Sequence, residues 1–255
     1  MNQRITAFFV VICCVSALAV GTTTAGASAG PARESVTAAD DVLVPDADGG
    51  NDGFSEPAGA GAPSNLASVG QWSITTTDAN GHAVGLGQLP DESGTAQTAM
   101  AAASSWWDGQ CGSNSSTADK FDVVKQYNRP KVHSRMSGSK AKMYCGKNVS
   151  TQSEAQFGLR HIRTSHKSQF ASLAVLEGRD WGNFMHWSVT WVISQPGWRT
   201  VQNADRYCYQ KLFQFHNPSG STFDRQVVVI LGRTGVRIMT AFPSTNADYC
   251  QGTRI

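Results

Sequence analysis

The sequence lacks the short motifs by which many nucleotide-binding and hydrolytic enzymes are recognised. It contains no G-x-x-x-x-G-K-[ST] loop and no G-x-G-x-x-G, which argues against P-loop and dinucleotide-binding chemistry. It also lacks a C-x-x-C pair and an H-E-x-x-H helix, the usual spacings of zinc ligands. We therefore predict neither a metal nor a cofactor.

Long hydrophobic runs are equally scarce. One run covers residues 5–20, follows the single basic residue Arg4 and precedes a small-residue stretch that ends in Ala27-Ser28-Ala29. A charged start, a short apolar middle and a small-residue end are the three parts of a secretory signal. The run is shorter than the ~20 apolar residues that a membrane span needs. We therefore predict a cleavable signal peptide at 1–29, a secreted extracellular protein and no membrane span.

Cysteine is sparse once the signal is removed. An even number of cysteines in an exported chain favours disulfide bonds, and four remain here, which predicts two bonds. Four cysteines allow three pairings, and the sequence does not choose between them. The pairing that we favour joins neighbours along the chain, Cys111 with Cys145 and Cys208 with Cys250.

Basic residues are almost missing from the first half of the mature chain. Residues 31–100 hold ten acidic residues and one basic residue, whereas residues 101–255 hold nineteen basic and nine acidic residues. Such asymmetry indicates a basic partner-binding domain with an acidic tail. We predict an acidic, largely disordered segment or pro-region at 30–100 and a basic domain at 101–255. Within the former, 67–100 contains enough apolar residues for either a small hairpin or an ordered extension.

The basic domain shows helical patterns first and strand patterns after them. Helices are predicted at Thr95–Trp107, at Glu154–Ala174 and after the N-cap residue Asp180, and Arg129–Lys147 is predicted to be a basic loop,. Residues 207–216 alternate with period two, and 227–231 and 236–242 are further apolar strands,. The prediction is an α+β fold with N-terminal helices followed by an antiparallel sheet, a meander of at least three strands.

One basic segment concentrates groups suited to acid–base chemistry. Residues 160–167 contain two histidines, His161 and His166, together with basic side chains that include Arg163 and Lys167. Histidine both accepts and donates protons near neutral pH, and cations beside it hold phosphate. Five residues apart on a straight helix, two side chains point about 140° from one another, so a shared metal is not expected. The alternative is a solvated basic helix.

Other polar residues carry weaker signals. Thr240 and Arg237 lie in the closing strand and are ordinary strand residues by themselves,. Lys211 is expected to lie solvated on a sheet face. The tryptophans, Trp198 among them, are expected mainly to pack in the core, although exposed ones stack on bases or sugars in other proteins.

Four segments together resemble a known group of bacterial toxins. Cys145-Gly146, Gly158–His166, the helix at Asp180-Trp181 and Ile238–Pro243 are similar to the ribonuclease toxin domains of polymorphic and contact-dependent inhibition systems, in the superfamily of barnase, EndoU, colicin D and RelE. They are also similar to a group of signal-bearing actinobacterial proteins. The resemblance covers about residues 145–245.

The resemblance implies a role for each matching residue. His161 and His166 match the motif histidines, Thr240 matches the closing-strand Ser/Thr, and Arg163 and Arg237 would contact phosphate. We therefore expect a metal-independent endoribonuclease-like monomer that cleaves RNA through a 2′,3′-cyclic phosphate. In it the two histidines share acid–base work and Lys167 helps to hold phosphate.

A ribonuclease of this kind sets a geometric condition on the histidines. Both must approach one phosphate, so the helix is expected to end or bend between Thr164 and His166. The expected partners are RNA as substrate and an immunity or inhibitor protein. The rival is a non-catalytic secreted binding protein that uses its basic face for an anionic polymer or a protein partner. A third interpretation is a degenerate toxin fold kept as an inhibitor.

Overall fold

The computed structural model describes residue 62 and residues 71–90, 96–98, 106–112, 119–148, 155–202 and 206–255. The predicted signal peptide at 1–29 and most of the segment predicted to be disordered lie outside these residues. Within the described ranges, no helix combines the length and the apolar character needed to cross a membrane.

The described elements comprise four α-helices and eleven strands. The helices are α1 Trp106–Gly109, α2 Gly158–Ser165, α3 Lys167–Ala174 and α4 Trp181–Ser194. The strands are β1 Ser73–Thr77, β2 Ala83–Gly85, β3 Gln88–Pro90, β4 Ala96–Thr98, β5 Val123–Asn128, β6 Lys140–Tyr144, β7 Trp198–Gln202, β8 Arg206–His216, β9 Thr222–Leu231, β10 Ile238–Ser244 and β11 Thr253–Arg254. The predicted α+β class is confirmed.

The main sheet is antiparallel and is built around the long strand β8. Its order is β10-β9-β8-β1-β2, and β7 pairs with both β8 and β11. The predicted meander is confirmed as β8-β9-β10, whose last turn contains Gly235 at φ 70°, a conformation that favours glycine. One edge of β8 is shared, because β7 pairs with its first half (Trp198↔Gln210) and β1 with its second half (Thr75↔Gln214).

The ordered domain begins earlier than the predicted boundary at residue 101. β1 and β2 belong to the main sheet, so this part of the acidic segment is an ordered extension. The main-chain oxygen of Gln88 accepts hydrogen bonds from the indoles of Trp187 (2.6 Å) and Trp191 (2.8 Å) on α4. These bonds satisfy two indole donors that burial would otherwise leave unpaired, which explains why the extension packs on the domain.

The sequence prediction differs from the structure at three other places. Part of the helix predicted at Thr95–Trp107 is strand β4, which pairs with β3, and among the described residues of that range only Trp106 and Trp107, in α1, are helical. The predicted basic loop Arg129–Lys147 contains β6, paired with β5. Strand β7 was not predicted. Each of these strands is short and is stabilised by pairing with another segment, which local propensity does not report.

The core lies between α4 and one face of the sheet. Asp180 caps α4, its Oδ1 accepting a hydrogen bond from the Gly182 main-chain N (2.9 Å), as predicted,. The apolar stripe of α4 meets the sheet through aromatic contacts, with Trp187 and Phe213 at 5.2 Å between ring centroids and Phe184 and Phe215 at 6.1 Å. Truncating a buried aromatic side chain of this kind to alanine costs about 3–5 kcal/mol.

Both predicted disulfide bonds are present, in the pairing that we favoured. Cys111 is bonded to Cys145 and Cys208 to Cys250. The first bond joins the segment after α1 to the end of β6, beside α2. The second joins β8 to the C-terminal segment that continues into β11. Each therefore holds a loop against a different part of the fold.

Candidate functional site

The two motif histidines lie at a break between helices. α2 ends at Ser165 and α3 begins at Lys167. Between them His166 adopts φ −126° and ψ −5°, outside the helical range, while its main-chain N still donates to the Ile162 oxygen (2.8 Å). The break falls where the ribonuclease hypothesis required the helix to end.

The break brings the two imidazoles into contact. The ring centroids of His161 and His166 are 5.5 Å apart, with an interplanar angle of 84°. His161 Nδ1 lies 3.3 Å from Ser165 Oγ, and His166 Nδ1 lies 3.1 Å from Gln169 Oε1. Each ring is thus held by a polar neighbour one turn away. Whether each ring nitrogen donates or accepts in these contacts depends on the tautomer of the histidine.

The two histidines differ in access to solvent. The exposed fraction is 8% for His161 and 0% for His166. The His166 ring also stacks on Phe242 of β10, with centroids 5.1 Å apart and planes 25° apart. His166 therefore lies between His161 and the edge strand. Its position suits support of the His161 ring better than contact with a polymer.

Thr240 lies on the same side of β10 as Phe242. The pairs Thr240↔Ile230 and Phe242↔Val228 belong to one regular stretch of ladder, so the two side chains share a face, about 7 Å apart along the strand. Thr240 is 7% exposed, and its Oγ1 is buried without a hydrogen-bond partner among the described residues. A buried hydroxyl of this kind needs an explanation. His161, His166, Thr240 and Phe242 are called the histidine cluster below.

The arginines of α2 bind a neighbouring loop. Arg160 is 1% exposed, donates to the main-chain oxygens of Cys111 and Gly146, and forms a salt bridge with Asp119 at 2.7 Å. Arg163 donates to the main-chain oxygens of Gln110 (3.1 Å) and Gly112. Both arginines therefore fix the loop at the first disulfide to α2, and the phosphate contact predicted for Arg163 stays a prediction.

The other two predicted phosphate contacts lie against aromatic rings. Lys167 Nζ is 5.5 Å from the Trp181 ring centroid. The Arg237 guanidinium is 4.7 Å from the Phe157 ring centroid and 5.6 Å from that of Phe121. Both side chains are half-buried. These cation–π contacts orient the cations and leave their role toward phosphate as a prediction.

A second region, which sequence reasoning missed, is a pocket at the shared edge of β8. Its volume is about 440 Å³, and it opens between the end of β1 and the start of β7. The chemically distinctive residues that line it are Asp78, Trp198, Arg199, Lys211 and Arg254. Trp198 was noted in the sequence as an aromatic residue able to stack, but no spacing connected it with the other four. Trp198, Arg199, Lys211 and Arg254 are called the basic pocket below.

The expectation that Lys211 is solvated is wrong. Lys211 is 6% exposed, because it lies on the face of β8 that α4 covers. Its Nζ donates to the main-chain oxygen of Gln195 at the end of α4 (2.8 Å). Burial lowers the pKa of Lys211 to about 8, and the nearby carboxylate of Asp78 acts in the opposite direction,.

Neither region has the composition of a metal centre. In the part of the chain that the structure describes, no three His, Cys, Asp or Glu side chains are grouped so that they could hold a metal ion. Comparisons with models of protein families, with curated proteins and with solved structures find no match.

Proposed function

We propose that this chain is a secreted, metal-independent endoribonuclease whose reacting residue is His161. The observation that carries the proposal is the histidine cluster: the His161 imidazole, 8% exposed, is supported by the fully buried His166 beside the edge strand, where the Thr240 hydroxyl has no hydrogen-bond partner among the described residues. The resemblance of this helix and closing strand to ribonuclease toxin domains supports the same assignment. The signal-like residues 1–29 support secretion, and the toxin resemblance supports an immunity or inhibitor protein as partner.

The chemistry assigns one task to each residue. His161 accepts the proton of the RNA 2′-hydroxyl, and the resulting oxygen attacks the adjacent phosphorus. The bond from phosphorus to the 5′-oxygen breaks, that oxygen takes a proton from water, and the hydroxide left behind takes the proton that His161 accepted. The products are a 2′,3′-cyclic phosphate and a 5′-hydroxyl end.

Two further residues assist His161. Thr240 donates a hydrogen bond to a non-bridging phosphate oxygen, where negative charge develops. His166 holds the His161 ring in position. This departs from the expectation that the two histidines share acid–base work at the phosphate, because the exposed fraction of His166 is 0%.

The proposal is tested by incubating the full chain with total RNA in excess EDTA and analysing the new RNA ends. Cyclic-phosphate ends are expected from the wild-type chain and are expected to be nearly absent with His161→Ala. His216→Ala is the matched control, since His216 is a half-buried histidine at the far end of β8. Circular dichroism verifies that both variants fold. Full activity of His161→Ala would remove the proposal.

A second candidate function is supported by the burial of the histidine cluster. His166 is inaccessible, the arginines of α2 are bound to a loop, and the basic pocket lies in another part of the sheet. A non-catalytic protein that binds an anionic polymer or a protein partner through its basic surface has these properties. It predicts RNA or another polyanion bound and no new RNA ends in the same experiment.

A further inference from the structure

The basic pocket exists because two strands share one edge of β8. β7 leaves the ladder at Trp198, opposite Gln210, and the register of β1 begins again at Thr75, opposite Gln214. The stretch of β8 between these pairs, which includes Lys211, has neither strand fully beside it. Thr76 Oγ1 donates to the Leu212 oxygen (2.7 Å) and closes one end of the gap. The opening is therefore part of the sheet architecture.

Positive charge dominates the side chains of the pocket. Arg199, Lys211 and Arg254 are cations, whereas Asp78 is the one acidic residue in the lining. The Asp78 carboxylate is already bound within its own turn, where Oδ1 accepts from the main-chain N of Asn80 (2.8 Å) and of His82 (2.9 Å). Three cationic side chains therefore face one acidic side chain in the lining.

Two of the cations that line the pocket retain donors without a hydrogen bond among the described residues. The ammonium of Lys211 has three N–H groups, and one of them is used on the Gln195 oxygen. Arg199 uses Nε on the main-chain oxygen of Ile255 (2.8 Å), and within the described residues its two terminal nitrogens have no hydrogen bond. A guanidinium with two adjacent free donors matches the geometry of a carboxylate or a phosphate.

The mouth of the pocket provides an aromatic surface. Trp198 is 40% exposed, which is unusual for a residue of this size, and the Arg254 guanidinium lies 4.2 Å from the ring centroid. Strand β11 holds Arg254 there by pairing it with Thr200 of β7. An indole with one exposed face stacks well on another planar ring.

We propose that the basic pocket binds a small molecule that joins an anionic group, carboxylate or phosphate, to a planar ring. The anion contacts Arg199 and Lys211, and the ring stacks at Trp198. The volume of about 440 Å³ lies within the range of small-molecule sites. This site is independent of the proposed ribonuclease activity, since it shares no residue with the histidine cluster.

The test is isothermal titration of the full chain with three probes. Adenosine 5′-monophosphate carries a phosphate, 2-naphthoate carries a carboxylate, and adenosine carries a ring without an anion. At least one of the two anions should bind, and adenosine about tenfold more weakly than its monophosphate, because the charged hydrogen bonds are lost. Whichever anion binds identifies the preferred group. Failure of both anions to bind would overturn the proposal.

Variants locate the binding. Arg199→Gln and Trp198→Ala should each weaken the bound anion about tenfold, and the charge-matched control Arg233→Gln, in the exposed turn before β10, should not. Arg254→Gln is a second variant at an exposed position, so it reports on the pocket even if Arg199→Gln impairs folding. Thermal unfolding verifies each variant. Anion binding that is unchanged in Trp198→Ala and Arg254→Gln would place the ligand elsewhere and contradict the proposal.

Discussion

The histidine cluster and the basic pocket are built in opposite ways. The histidine cluster comes from a short stretch of helix and one strand, and its side chains are packed against aromatic residues with little access to solvent. The basic pocket is open, and its residues come from β7, β8 and β11, which meet only in the folded sheet. The comparison shows that the region with a recognisable motif is the closed one, and the region with accessible volume has no motif.

The difference follows from how each region is stabilised. His166 fills space beside Phe242, so this side chain contributes to packing as well as to the proposed chemistry. At the mouth of the basic pocket, where the sheet fails to close, Trp198 and Arg254 are exposed, so packing constrains these two residues less than it does buried Lys211. We therefore expect substitutions in the histidine cluster to affect both stability and activity, whereas substitutions at the mouth of the basic pocket affect binding alone.

The largest expected effect is a loss of RNA cleavage rate that differs between variants of the two histidines. His161→Ala should lower the rate of RNA cleavage by about 10²–10⁴, the usual contribution of one acid–base group. His166→Phe keeps an aromatic ring stacked on Phe242 and removes both nitrogens, so a positioning role predicts a smaller loss of about tenfold. Single-turnover cleavage rates measure both. Equal losses in the two variants would show that His166 also transfers a proton at the RNA.

The two disulfide bonds allow the two regions to be perturbed separately, since one lies near the histidine cluster and the other near the basic pocket. Replacing either pair with serines should lower the free energy of unfolding by about 2–4 kcal/mol. Loss of Cys111–Cys145 should mainly slow RNA cleavage, because the Arg160 main-chain N donates to the Cys145 oxygen beside α2 (2.9 Å). Loss of Cys208–Cys250 should mainly weaken anion binding, because Arg254 follows Cys250. Denaturant unfolding and the two functional assays test this, and identical losses of both functions in both variants would contradict it.

Lys211 predicts a pH dependence for the basic pocket. The pKa of Lys211 is about 8 in the folded state, against the ordinary value of 10.5, so above pH 8 the unfolded chain binds more protons at this residue. The stability of the wild type relative to Lys211→Met should therefore rise with pH, by about 2 kcal/mol between pH 8 and 9.5. Below pH 8 the difference should be flat. Anion binding should weaken over the same range as the charge is lost, and a flat difference throughout would contradict the assignment.

The smallest expected effect concerns Thr240. Thr240→Val retains the shape of the side chain and removes a buried hydroxyl that has no hydrogen-bond partner among the described residues. The variant should be about 1 kcal/mol more stable, since no unpaired polar group remains. The rate of RNA cleavage should nevertheless fall about tenfold if the hydroxyl serves phosphate. Thr240→Ser is the control that restores the hydroxyl, and a stable variant with an unchanged rate would assign Thr240 to packing.

Much of the fold could be predicted from local patterns. The capped helix α4, the alternation in β8 and the turn at Gly235 each depend on residues close together in the chain, and the structure confirms them. The short strands could not be predicted in this way. β1, for example, lies against β8 through Thr76 and Leu212, which are 136 residues apart, and its stability comes from that pairing.

The residues of the two candidate regions also divide into those that the sequence could predict and those that it could not. His161 and His166 could be found because histidines and bases at short spacing carry a chemical signal, and the required helix break followed from the same spacing. The burial of His166 could not be predicted, because it depends on Phe242 in a distant strand. No sequence signal connects Trp198, Lys211 and Arg254, since the gap in the sheet that brings them together is a property of the whole topology.

The most direct test of the central claim is cleavage of an oligonucleotide that contains a single ribonucleotide in a DNA strand, with the full chain and EDTA. Cleavage is expected only on the 3′ side of the ribonucleotide, with a 2′,3′-cyclic phosphate on one product, and no cleavage is expected when that position is 2′-O-methylated. Cleavage at deoxynucleotides, or an intact strand under conditions in which total RNA is bound, would contradict it.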